Sequence, residues 1–137
     1  MDKNKVTRTD AVDATTIEAV RINSSNNEIS CEEAAAIAAG LAKSMSEVGA
    51  ACDLLELHII KCQLGLFGYH PQKKIVSAAQ SVVPELEQAI REKLVGGTLP
   101  CKTAWEIAEK LALPRMKVAS ACEALQIKVS PCQLGAF

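Results

Sequence analysis

The residues of this 137-residue chain whose types and spacing suggest chemistry are its six cysteines. Four of them form two matched couples, Cys31 with Cys62 and Cys101 with Cys132. Each couple joins a thiol at the predicted start of a helix to one that follows a predicted strand. A helix N-terminus lowers a thiol pKa, and a lowered pKa makes cysteine reactive or metal-binding. The couples therefore suit a redox switch, or metal ligation if two couples met. Against ligation, there is no Cys-x-x-Cys, the spacings match no structural zinc pattern, and two thiolates leave a tetrahedral site half filled. Cys52 and Cys122 fall at predicted helical core positions, where a thiol acts as a small apolar group. His58 on a strand and His70 before Pro71 have no partner visible in sequence and are expected to face solvent. No nucleophile with a base, glycine-rich phosphate loop or carboxylate pair stands out, so neither an enzyme nor a cofactor is expected.

The elements that must position these groups occur twice. Cys31 to Phe67 aligns without a gap on Cys101 to Phe137 at an offset of seventy residues. The offset pairs Ala38 with Ala108, Ala42 with Ala112, Val48 with Val118, Cys52 with Cys122, and Cys62-Gln63-Leu64-Gly65 with Cys132-Gln133-Leu134-Gly135. It extends upstream to Ala19-Val20-Arg21 opposite Ala89-Ile90-Arg91. An internal repeat of this kind dictates the architecture. Residues 1–12 are expected to be a mobile end, 13–67 the first unit, 68–83 a helical linker and 84–137 the second unit. Each unit is near the lower size limit for a self-sufficient core, so a homodimer is expected.

Hydrophobic content of 49% with 3% aromatics predicts cores of Ala, Leu, Ile and Val in closely packed helices. Within the first unit, Asp13 or Thr15 caps a helix to about Ile22, and Ser24 to Asn27 form a turn. Ser30 with Glu33, and Ser44 with Glu47, read as capping boxes opening two further helices. Their buried faces are Ala34, Ile37, Ala38 and Leu41, then Val48, Ala51, Cys52 and Leu55. Leu57, Ile59 and Ile60 suit a short strand pairing with Glu28 and Ile29. The second unit repeats the plan: a helix from Glu85 to Leu94 with Pro84 at its start, Leu99 and Pro100 extended, helices over 101–112 and 114–125, and a strand over 127–129. Both Gln-Leu-Gly segments read as turns that bury their leucine. No apolar run is long enough for a membrane span, and the charged N-terminus predicts a cytoplasmic protein with reduced thiols.

The stretch Ala104 to Val118 resembles the helix-turn-helix of winged-helix DNA-binding domains. Ala108 stands where that family keeps a small residue for close helix approach, Ala112 where the turn prefers Gly, and Val118 where a β-branched residue locks the second helix. Ala38, Ala42 and Val48 fit the same pattern in the first copy. The Cys-Gln-Leu-Gly-x-Phe ending further resembles a narrower group of small proteins, with no activity attached to it. The resemblance implies a mainly α fold of two tandem winged-helix-like three-helix units with short strands, their wings truncated because few residues follow Ile127.

By position, the resemblance implies that the second copy presents Arg115, Lys117 and Ser120 to duplex DNA, backed by Lys102, Lys110 and Lys128. Charge agrees with this division. Residues 1–70 carry six Lys or Arg against ten Asp or Glu, a net −4, whereas residues 71–137 carry nine against six, a net +3. Three functions stay open: a nucleic-acid-binding or regulatory protein using the second copy, a noncatalytic module whose acidic first copy docks a protein, and a cysteine-based sensor. Trp105 reads as a packing or interface residue.

Overall fold

The computed structural model describes residues 12–69 and 74–136. In chain order the elements are α1 (Ala14–Asn23), β1 (Glu28–Ser30), α2 (Cys31–Leu41), α3 (Met45–Leu54), β2 (His58–Ile60), α4 (Pro84–Glu92), α5 (Cys101–Lys110) and α6 (Arg115–Leu125). The fold is mainly helical. Its described strands form one parallel pair, with Glu28 opposite His58 and Ser30 opposite Ile60. Expectations for residues 1–11 and for His70 lie outside the described residues.

The capping residues set the helix starts. Asp13, rather than Thr15, caps α1 and accepts the Thr16 amide at 2.8 Å. Ser30 and Ser44 each form the full reciprocal box, with Glu33 and Glu47 reaching back to the cap amides. The counterparts of those serines are Pro100 and Pro114, which start α5 and α6 with no side-chain cap. Proline restricts φ close to the value needed at these positions, so the same helix start is reached by a different means.

The turns repeat as well. Asn26 and Asn27 have φ of 54° and 61°, and their counterparts Gly96 and Gly97 have 59° and 83°. Two successive positive φ values make a tight reversal that Asn and Gly tolerate best. Each reversal is closed by a bridge, Ser25 with Glu28 and Val95 with Thr98. Between α2 and α3 the Lys43 amide donates to the Ala38 carbonyl at 2.9 Å, and between α5 and α6 the Leu113 amide donates to that of Ala108 at 2.8 Å.

Packing divides the described residues into two compact units. One comprises the described residues through Cys62 together with Gln133–Ala136, and the other is Gln63–Cys132. In the first, α1, α2 and α3 pack on one another; in the second, α4, α5 and α6 do. Both cores are small and largely aliphatic, built around Val20, Ile29, Val48 and Cys52 in one and Ile90, Leu99, Val118 and Cys122 in the other, all at most 1% exposed. Leu41 and Leu55, expected within the first core, are only half-buried.

Three expectations are corrected. Residues 74–83 form no helix. The Ile75 and Val76 amides donate to the Gly65 carbonyl and the Ala79 amide to that of Ser120, and Pro84 holds Val83 extended with φ −65° and ψ 143°. The strand expected over 127–129 is reduced to a single parallel bridge, Leu99 with Val129. Finally, the repeat boundaries put each Gln-Leu-Gly segment in its own unit, but packing exchanges them. Leu134 (1% exposed) completes the first unit and Leu64 (0%) the second.

Candidate functional site

All six basic or polar residues expected at a duplex lie in the second unit, yet its packing treats them differently. Arg115 opens α6, where the chain leaves Pro114, and its guanidinium carbon lies 3.6 Å from the centre of the Trp105 ring on α5. Its Nη1 also points to Gln63 Oε1 at 3.4 Å. Stacking of this kind contributes about 0.5–2 kcal/mol depending on desolvation, so Arg115 is engaged before any ligand arrives. The Trp105 Nε1 is covered and has no hydrogen-bond partner among the described residues. Trp105 is thus a packing residue, in agreement with the reading of the sequence.

Ser120, one turn further along α6, is committed to the linker. Its hydroxyl donates to the Ser77 carbonyl at 2.6 Å and its carbonyl accepts the Ala79 amide at 3.1 Å. Lys74 forms an ion pair with Glu123 at 2.6 Å, and Val76 is buried. Residues 74–79 therefore run as a strap along one face of α6. Lys117 is exposed, as are Lys102 on α5, Lys110 at its end and Lys128 after α6. Lys110 borders a shallow groove of about 230 Å³ between α4 and α5, which Glu85 and Glu92 also line. Arg115 and Lys117 share the first turn of α6, Lys102 and Lys110 lie towards the two ends of α5, and Lys128 follows α6.

The thiol couples are brought near by the backbone. Cys31 follows Ser30, which pairs with Ile60 two residues before Cys62. The Cys101 amide donates to the carbonyl of Pro131 at 3.0 Å, beside Cys132. Cys31, Cys62 and Cys101 are buried and Cys132 is half-buried, all as thiols. Burial, followed by the nearby charge of Glu123, pushes the Cys122 thiol up to about 11, so it stays protonated at neutral pH, as a packing residue should. Among the described residues no three His, Cys, Asp or Glu side chains gather as metal ligands. His58 is exposed, as expected.

Sequence reasoning missed the strap residues Lys74 and Ser77, the Gln63 contact and the role of Gly49. Only Gly49 left a trace: it is the one helical glycine whose counterpart in the repeat, Ala119, lies in the second core. No helix among the described residues is long and apolar enough to cross a membrane. No protein family model, curated protein or solved structure matches this chain.

Proposed function

We propose that the chain is a noncatalytic interaction module of two winged-helix-like units whose acidic first unit docks a protein partner. The observation that carries this reading is the strap. A helix that reads the major groove needs a free outer face, and on α6 the Ser77, Ala79 and Lys74 contacts occupy Ser120 and Glu123.

The winged-helix part rests on the two helix-turn-helix pairs, α2–α3 and α5–α6, with alanine at the left-handed turn position in each. The acidic docking face rests on charge. Between Asp13 and Cys62 stand eight Asp or Glu against three Lys or Arg. Two of those three cations, Arg21 and Lys43, are already held by Glu18 and Asp13. Glu32 and Glu56 remain exposed.

Duplex binding is the rival, favoured by Lys117 exposed on the first turn of α6. Titration of mixed duplex DNA at low and moderate salt decides between them. No binding at low salt, together with binding of a lysine-rich peptide that Glu32→Lys, Glu56→Lys weakens, supports the docking module. Salt-steep DNA binding that a folded Arg115→Ala, Lys117→Ala double variant loses would replace it with the nucleic-acid reading.

A further inference from the structure

Gly49 lies inside α3, where glycine costs a helix roughly 0.5–1 kcal/mol relative to alanine. Its surroundings show what that cost permits. A Cβ built on Gly49 would stand 2.0 Å from the Leu134 carbonyl oxygen and 2.9 Å from the Leu134 Cα. The missing side chain is thus a notch in α3 that admits a backbone, and the backbone seated there belongs to Gln133–Ala136. Leu134 is the buried side chain of the segment, 1% exposed, while Gln133 is half-buried and Gly135 and Ala136 are exposed. It also leaves its neighbours: Cys132 packs with the second unit and Gln133 with the first. The second unit is completed in the same way by Leu64 and Gly65, the latter against Ile75, Val76 and Met116.

We propose that the Gly49 notch is an exchangeable docking site whose occupant, beyond the segment of its own chain, is the Gln133–Ala136 segment of a second copy, giving a dimer by reciprocal exchange. A second copy offers the same leucine anchor and the same backbone, so every contact is reproduced and nothing new has to be made. Such exchange of an identical element is a low-cost route to a dimer. The competing intrachain segment acts at an effective concentration on the order of 1 mM for a short connection, which sets the concentration at which the second copy competes. The inference concerns how the chain associates with itself and stands whatever the units bind.

The test is refolding of the full chain from denaturant at about 10 µM and at about 1 mM, with the oligomeric state read by light scattering. At least a tenfold larger dimer fraction is expected at the higher concentration. Gly49→Ala closes the notch and Leu134→Ala removes the anchor, so each variant refolded alone should be monomeric. Refolded together, they should form a one-to-one dimer, because the segment of the first fits the notch of the second. Dimers from Gly49→Ala alone, or no dimer in the mixture when the native chain dimerises, overturn the proposal. Should either variant fail to fold, the native chain decides by itself. A dimer at high concentration that keeps the monomer's hydrogen-exchange protection around Gly49 supports exchange, and a monomer at both concentrations overturns it.

Discussion

Ala42 and Ala112 hold the same left-handed backbone conformation, φ 55° in each, at the turns that join α2 to α3 and α5 to α6. An L-residue with a Cβ is disfavoured there by roughly 1–2 kcal/mol, part of which glycine returns as entropy lost on folding. Both alanines are exposed, so their substitution disturbs no core. Ala42→Gly and Ala112→Gly should each stabilise the protein by about 0.5–1 kcal/mol, and Ala→Val at either site should destabilise it. Denaturant unfolding with an unchanged slope checks both, and a loss of stability in the glycine variants would remove the turn argument.

Thr16 is fully buried in the first unit, and its hydroxyl has no hydrogen-bond partner among the described residues, while its counterpart in the second unit is Leu86. A buried hydroxyl without a partner costs about 1–3 kcal/mol of desolvation. Thr16→Val keeps the shape and removes the hydroxyl, so thermal unfolding should show a gain of about 1 kcal/mol. Thr16→Ser keeps the hydroxyl and loses the methyl, and should be destabilising.

The pair Asp13 and Lys43, 2.8 Å apart, gives the first unit a sensitivity to acid. Hydrogen bonding from Lys43, then from Thr16, holds the Asp13 carboxyl well below the usual carboxylate range. A carboxylate with a depressed folded pKa contributes stability that is complete above its unfolded value, about 4, and is lost as pH falls through the folded one. Stability of the first unit should therefore decline below about pH 4. The same positions in the second unit are Val83 and Leu113, which do not titrate. Asp13→Asn should flatten the acid limb for amides of α1 in hydrogen exchange and leave those of α4 unchanged.

Trp105 is the single tryptophan, and Arg115 lies over its ring. Arg115→Ala should red-shift its emission, raise quenching by acrylamide and cost about 0.5–2 kcal/mol. Arg115→Lys should recover only part of this, because an ammonium does not stack as a planar guanidinium does. Unchanged emission in the alanine variant would mean that the stacking is absent in solution.

Leu64 and Leu134 are equivalent in the repeat and opposite in the fold. Truncation of a buried leucine costs about 2–5 kcal/mol. Leu134→Ala should lower hydrogen-exchange protection in α3, and Leu64→Ala in α6. The reverse pattern would return each segment to the unit of its own repeat.

Much of this architecture was legible in local chemistry. Ser30 with Glu33 and Ser44 with Glu47 announced two helix starts because a capping box is closed within four residues. The seventy-residue offset carried the burial pattern too: residues 21–30 and 91–100 have the same order of buried, half-buried and exposed positions. Cys52 and Cys122 were recognisable as core residues from helical spacing alone. The linker was misread, because Ile75, Val76 and Val83 satisfy a helical pattern as readily as an extended one, and the choice lay in partners at Gly65 and Ser120.

By itself the amino-acid sequence determined what is short-range: the caps, the tight turns, the apolar faces and the doubling of one three-helix plan. Only the tertiary structure decided which unit Leu64 and Leu134 complete, and that Ser120 lies under a strap. The physical reason is that a leucine's hydrophobicity demands burial without naming the wall it is buried against, and two identical Gln-Leu-Gly segments meet that demand equally in either core. The backbone approach at Gly49, where no Cβ stands in the way of the Leu134 carbonyl, is a three-dimensional fit that no local pattern encodes.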